Sequence, residues 1–394
     1  MAARNNVPVI PIFITMEDSK LIGEDGFNIQ EYTINVEEPI YPDEKITEKE
    51  NTEIMKQKKK MTSSGFLLLI TIVLFFAMYA AGMVIFADKG FAKPQMFLNL
   101  FVSNAGLLVI SCGLTIVMIT GGIDISVGSV TALVCMVMAD LMENKGVSAY
   151  VAVLAALLIG LAFGVVQGFL VTYMGIQPFI VTLAGMFFAR GMTSIVHTDP
   201  FNVQNEAFVK LKDTRVIVPG MGSVNRIGKY VNAYVEIGVI VAILIVVIMF
   251  VMLRWTKLGR SFYAVGGNRQ SALMLGINVK KTRFLAHLLS GLLAGIAGYV
   301  YFLHVGSGAA THASGMEMNA IASSIIGGTM LTGGVGNIIG TFFGVLSLST
   351  IQNIVSSAGL DQAWWTGITI AAMLCLFLVV QSIVMSRKKK LSKG

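Results

Sequence analysis

Ten stretches of this chain stay apolar for about 20 residues at a time, and that one feature removes most folds from consideration. A bilayer core about 30 Å thick asks for helices of roughly 20 apolar residues; a soluble domain has no use for ten of them in series. The runs are Phe66–Phe86, Phe97–Thr120, Ile125–Met142, Tyr150–Tyr173 and Ile176–Val196. After a polar interval at 197–236 come Ile237–Leu253, Phe284–His304, Met316–Leu331, Gly336–Val355 and Trp364–Met385. The eighth is short and interrupted by Gly327 and Gly328. The pattern predicts an all-α polytopic membrane protein with about ten transmembrane helices.

Two of the runs carry glycines one turn apart: Gly160, Gly164 and Gly168 in the fourth, Gly336, Gly340 and Gly344 in the ninth. Small residues at that spacing let helices approach closely, the main attraction available in lipid. The stripes lie five spans apart. Asp124-Ile-Ser126 opening the third span and Glu317-Met-Asn319 opening the eighth share that offset, so two related five-helix halves are expected, as in many transporters.

Charge divides the chain differently. Residues 1–60 hold 12 of the 22 acids, leaving ten acids against 21 Lys or Arg in 61–394. An acidic polar tail, 1–60, therefore precedes a basic membrane domain, 61–394. The tail has no clear helical period, and VPVIPIF is too short for a signal peptide. Two readings fit it: a disordered extension, or a true start at Met55 or Met61, where MKQKKKMTSSGFLLL has the form of a basic leader.

Cations cluster at Lys56–Lys60, at Arg387–Lys390, and in the loop 254–283, which has Arg254, Lys257, Arg260, Arg269, Lys280, Lys281 and Arg283 but no acid. Each cation near an anionic inner leaflet contributes about 1 kcal/mol. Ten spans place all three clusters on one side, the cytoplasm, and both termini with them. The interval 197–236 then lies outside.

Within the basic loop, GRSFYAVGGNRQSALMLGINVKK carries the most information. Gly266 and Gly267 end one element, Asn268 can cap a short helix through Leu275, and Gly276 would stop it. That helix would present Ala272, Leu273 and Leu275 on a surface otherwise set for water. It either docks a soluble partner or lies on the lipid headgroups.

Asp124 sits in TGGIDISVGS, between two apolar runs, where a lipid-facing acid costs about 2.5–3.5 kcal/mol. It can cap the third span through the first-turn N–H groups, line a polar path, or do both. Ser126, Glu317, Asn319, Ser323 and Gln352 are the other polar candidates for a path, although most such groups only bond across helices. Arg190 and Asp140 fall near outer span ends and read as snorkelling or rim pairing. Cys112, Cys135 and Cys375 read as apolar filler, and the four histidines show no metal spacing. Gly222–Lys229 is a failed Walker motif. No nucleophile set or metal set assembles, so neither an enzyme nor a resident cofactor is expected.

TGGIDISVGS, IQPFIVTLAGMFFARG, YAVGGNRQSALMLGI, GGTMLTGGVGNIIGTFFGV and the WWT at Trp364, in that order, resemble the permease subunits of bacterial ribose/galactose-type ABC importers, most closely the galactofuranose-type branch. The likeness runs from about Phe66 to the C-terminus; residues 1–54 have no counterpart. It implies a permease of the bacterial inner membrane, fed by an extracytoplasmic sugar-binding protein. A separate subunit binds and hydrolyses ATP, and a second permease, identical or different, completes the pore. The segment from Gly267 to Ile277 resembles that family's ATPase-coupling segment. An ABC permease for amino acids and an ion-coupled secondary carrier are the alternatives. The carrier would normally place ionisable groups at mid-span.

Overall fold

The computed structural model describes residues 12–22, 28–36, 63–224, 230–360 and 362–391. The chain divides into two compact units, Met1–Thr62 and Ser63–Gly394. In the first, β1 (Ile12–Ile22) and β2 (Asn28–Val36) pair antiparallel, with Ile12 opposite Val36 and an irregularity between Asp18 and Ile22. That is more regular than the sequence reading of the tail. The segments IFITM and EYTINV are rich in the β-branched and aromatic residues that suit a pleated ribbon.

The second unit is helical. Its first half contains α1 (Ser63–Ile85), α2 (Pro94–Val102), α3 (Ala105–Ile119), α4 (Val127–Glu143), α5 (Ala149–Thr172) and α6 (Pro178–Val196). The interval that follows holds β3 (Phe201–Asn202), α7 (Glu206–Lys212) and the antiparallel hairpin β4 (Arg215–Val224) and β5 (Tyr230–Glu236). Then come α8 (Ile237–Trp255), α9 (Lys257–Gly267), α10 (Arg269–Met274), α11 (Val279–Val305), β6 (Ser307–Gly308), α12 (Met316–Ile326), α13 (Ile338–Ser357) and α14 (Ala363–Leu391).

Every apolar run lies on a helix, but their lengths differ. Among the described residues, α1, α5, α6, α8, α11 and α13 are long and apolar enough to cross a membrane. The pair α2 and α3, bent by 51°, makes a seventh crossing if counted as one. By contrast, α4 has 17 residues and α12 only 11. At 1.5 Å per residue, α12 reaches about 16 Å, half a bilayer core. The third and eighth runs are therefore partial helices, each preceded by non-helical chain, at 120–126 and 306–315.

The first lead-in is mostly buried, whereas the second buries Gly306, Gly308, Ala309 and Ala313 and leaves Thr311 and Ser314 exposed. Every residue of α3 is buried, and nearly all of α4. The long helices α5, α6 and α8 wrap them, with Leu154, Leu158, Phe187, Phe188, Leu244 and Val247 left facing outward. The glycine stripe of α5 packs on α11: a Cβ on Gly160 would fall 2.9 Å from the Gly295 Cα, one on Gly164 2.9 Å from the Leu288 Cα, and one on Gly168 3.1 Å from the Phe284 ring. The α13 stripe packs elsewhere. Gly340 lies on the Gly327 carbonyl, Gly344 on Ser323, and Gly336 against the Ile119 side chain. Gly291 and Gly295, one turn apart on α11, meet the α5 stripe, and Gly327 meets that of α13.

Candidate functional site

The basic loop folds as two short helices. Thr256 Oγ1 accepts from Gly259 N at 3.1 Å to start α9, and Asn268 Oδ1 accepts from Ser271 N at 2.8 Å to start α10. Gly276 ends α10 at φ +75°. Its N–H donates to the Leu273 carbonyl at 2.9 Å, and Ile277 N–H to the Ala272 carbonyl at 3.0 Å. This paired closure needs a left-handed residue, which glycine supplies without strain. Leu273, Met274 and Leu275 are left outside, with 58%, 83% and 77% of their surfaces exposed. Ala272, expected among them, is 1% exposed. A helix of six residues must turn one side inward, and here it turns the smallest. Met274 takes the place expected of Ala272.

Directly behind α9, three chain segments meet backbone to backbone. Gly334 N–H donates to the Ile119 carbonyl at 2.9 Å, and Tyr263 Oη–H to the Gly336 carbonyl at 2.9 Å. A Cβ on Gly334 would fall 2.8 Å from the Gly267 Cα, and one on Gly333 2.9 Å from Gly121 N. Gly266 is seated on the Ile119 carbonyl. Gly333 and Gly334 hold φ of +86° and +73°, and Gly121 +75°, a region that side chains disfavour. The end of α3, the end of α9 and the α12–α13 connection thus share one junction.

Asp124, three residues after Gly121 of this junction, is 1% exposed. Its Oδ1 accepts from Ser126 N at 3.0 Å and from Ser126 Oγ at 2.7 Å; its Oδ2 accepts from Ser290 Oγ of α11 at 2.8 Å. Gln167 Nε2 of α5 donates to Ser126 Oγ at 2.8 Å. This corrects the reading of Asp124 as a cap on first-turn N–H groups. The carboxylate stands three residues before the first residue of α4 and ties the approach to that helix onto α11. His287 is also close: a Cβ on Gly122 would sit 3.7 Å from its Nε2. Ser290, Gln167 and His287 are isolated polar residues in long apolar runs and give no sequence signal of meeting Asp124.

Glu317, in the first turn of α12, backs onto Gly128 at the start of α4, so the two partial helices meet at their N-terminal ends. Its Oε2 is buried without a hydrogen-bond partner. Asn319 is half-buried in the same helix, and Ser323 is fully buried under Gly344. Thr115 Oγ1 lies 3.0 Å from Ser324 Oγ and 2.7 Å from Thr341 Oγ1, joining α3, α12 and α13. Gln352, half-buried on α13, joins none of these groups.

At the other end of α4, Asp140 pairs with Lys145 at 3.0 Å, as its rim position suggested. Arg190 does not behave as expected. Rather than snorkelling, it turns inward and donates to three main-chain carbonyls. No cluster of potential metal ligands occurs among the described residues.

Comparison with known proteins places this arrangement. Residues 96–378 match the family described as branched-chain amino acid transport system / permease component. The fructose import permease protein FruG of Bifidobacterium longum is 35% identical across 85% of this chain and 98% of its own length. The inner membrane ABC transporter permease protein YjfF of Escherichia coli is 36% identical, across 80% of this chain and 91% of its own. The ribose import permease protein RbsC of Escherichia coli is 34% identical, across 75% and 90%. No solved structure matches the chain. With the family match covering most of the membrane unit and relatives aligned nearly end to end, the chain belongs to this family of ABC-importer permease components.

Proposed function

We propose that this chain is the membrane permease of an ATP-driven sugar importer in the bacterial inner membrane, with both termini cytoplasmic. The sugar class rests on relatives named for fructose and ribose import, and the resemblance of the motif blocks narrows it to the galactofuranose-type branch. A binding protein outside the membrane delivers the sugar. An identical or different second permease completes the pathway, and ATP is bound and hydrolysed only by a partner ATPase. Asp124, Ser126, Glu317, Asn319, Ser323 and Gln352 are the candidate pathway groups.

The observation that carries the mechanism is the apolar knuckle Leu273-Met274-Leu275, exposed on an acid-free basic surface. Gly266, Gly267, Asn268, Gly276 and Ile277 shape its base, and Ala272 anchors it from beneath. The knuckle docks in a cleft of the ATPase. Movement there reaches the membrane through the glycine junction, which is bonded to α3 and to the connection after α12. Both partial helices are thereby driven from one point.

Leu273→Asp combined with Met274→Asp tests this, since both side chains are exposed and neither holds the fold together. Co-purification of the ATPase and sugar uptake should each fall at least about tenfold, as expected for central apolar anchors of an interface. The permease should remain in the membrane at its usual level. Unchanged uptake and ATPase capture would defeat the docking role. An Asp at Ala272 would be no such test, because it would be buried.

A further inference from the structure

The connection between α11 and α12 descends a long way. Its upper end lies beside the outer part of α4: a Cβ on Gly308 would fall 3.0 Å from Ala139 Cβ and 3.0 Å from Met136 Sδ. Its lower end lies at the start of α4, where a Cβ on Gly128 would fall 2.9 Å from Glu317 N. About eleven residues of α4 separate these levels, roughly 17 Å of descent at 1.5 Å per residue. The segment 309–315 therefore runs inside the thickness of the membrane without helix or strand. Such backbone is tolerated at that depth only where protein buries it or where it lines a watery path.

Arg190, on α6, supplies what this backbone lacks. Its Nη1 donates to the Ala310 carbonyl at 3.1 Å and the His312 carbonyl at 2.6 Å, and its Nη2 to the Ala313 carbonyl at 3.1 Å. Among the described residues no acid pairs with it. A full charge in an apolar helix is thus spent wholly on three carbonyls of one turn. Other contacts fix the same turn: Ser307 Oγ lies 3.1 Å from His312 Nε2, and Tyr301 Oη accepts from Ala313 N at 3.4 Å. Ala313, buried, is left-handed at φ 51°.

Pinned this way, the segment shows two faces. Ala309 and Ala313 point into the protein, while Thr311, Ser314 and, further into α12, Met318 are exposed or partly so, with Asn319 half-exposed beside them. We propose that this face, Thr311, Ser314, Met318 and Asn319, is a polyol-contacting wall of the translocation path, and that Arg190 is the positioning residue that holds it. Two hydroxyls and an amide suit the hydroxyl groups of a sugar, and a thioether beside them suits its C–H face. A neutral polyol can be held by uncharged groups alone, and their weaker hydrogen bonds let it leave again. The guanidinium accordingly faces the carbonyls on the inner side and leaves the open face uncharged. This rests on the permease reading, but the labelling arm of its test does not need the ATPase.

The experiment uses the full chain with Cys375→Ser, leaving the buried Cys112 and Cys135 in place. Single cysteines at Thr311, Ser314 and Ala313 are treated in membrane vesicles with the membrane-impermeant trimethylammonium-ethyl methanethiosulfonate. Thr311→Cys and Ser314→Cys should react at least about tenfold faster than Ala313→Cys, reflecting a water-filled face against a buried one. Adding Arg190→Gln should erase that ratio, and Arg190→Lys, which keeps the charge but not the fork, should restore it only in part. In the complete importer, D-fructose and D-ribose are tested as uptake substrates, and whichever is taken up should slow labelling at Ser314→Cys. Equal labelling at all three positions with Arg190 present would overturn the wall. Full uptake and an unchanged ratio in Arg190→Gln would overturn the positioning role. Normal labelling together with uptake that ignores the ATPase would instead fault the importer reading and leave the wall standing.

Discussion

The two breaks in the helix pattern meet the same difficulty with opposite charges. At 120–126 the chain rises to the start of α4, and its turn is satisfied by an acceptor, the Asp124 carboxylate, which takes the Ser126 N–H and two hydroxyls. At 306–315 the chain descends to the start of α12, and its turn is satisfied by a donor, the Arg190 guanidinium, which takes three carbonyls. The acid sits inside the segment it supports; the cation comes from a helix more than 100 residues earlier. The first break therefore takes two of these three bonds from within itself, whereas the second takes all three from α6. If the permease alternates between two states, the second break is the one that a helix movement can release.

The largest expected effect is at the junction, which holds the end of α3 before the first break and the connection after α12, the helix that the second break leads into. Gly266 rests on the Ile119 carbonyl, whereas nothing lies within 4 Å of a Cβ on its neighbour Gly267. Gly266→Val forces backbone against backbone and should cost about 3 kcal/mol or more. The detergent-solubilised protein should melt markedly lower and uptake should vanish. Gly267→Ala should melt within about 0.5 kcal/mol of the parent. Equal behaviour of the pair would mean that the junction is not tightly packed.

Next come the two charges themselves, each replaced by its neutral amide. Arg190→Gln, with two N–H donors on a shorter side chain, leaves at least one of three carbonyls without a donor, at about 1–3 kcal/mol apiece. Asp124→Asn keeps one acceptor oxygen and can turn its NH2 toward Ser290, so about 1–2 kcal/mol should be lost. Thermal unfolding followed by fluorescence size exclusion ranks them. A larger loss for Asp124→Asn would show that the acid carries more of the fold than its bonds account for.

How far the sequence foretells each break follows from the same difference. Asp124 was legible as a special residue because its cause is local: two glycines before it, a serine two positions after, and apolar runs on both sides. The α10 turn was legible for a like reason, since Asn268 and Gly276 are signals that act within a few residues. Arg190 was not, because nothing in FARG announces carbonyls at 310–313. The glycine stripes were visible on α5 and α13, but which elements they dock on was not, since the spacing marks a helix as able to pack closely without naming its partner. The length of the third helix also escaped, although the eighth was legible as short and interrupted at Gly327 and Gly328, where α12 ends. Hydropathy registers how apolar a run is, and extended chain threaded through buried protein is as apolar as a helix. Ala272 was misplaced because exposure on a one-and-a-half-turn helix depends on what lies beneath it, which composition does not record.

The smallest effect tests whether the first break is as self-contained as its geometry suggests. Ser290 is the one partner of Asp124 that comes from a distant element, and its hydroxyl is fully buried. Ser290→Ala removes one hydrogen bond to a charged acceptor, worth about 1.5–3 kcal/mol in the parent. The remaining bonds from Ser126 stay, and a methyl group fills nearly the same space. If α11 merely packs beside the break, the loss should stay near 1 kcal/mol and should be the same in an Asp124→Asn background. If Asp124 pulls α11 toward α4, the two losses should couple, with the double variant less damaged than the sum by more than about 0.5 kcal/mol. Coupling would make the first break dependent on a neighbouring helix as well. The breaks would then differ only in the sign of the charge that holds them, and both could be released by helix movement.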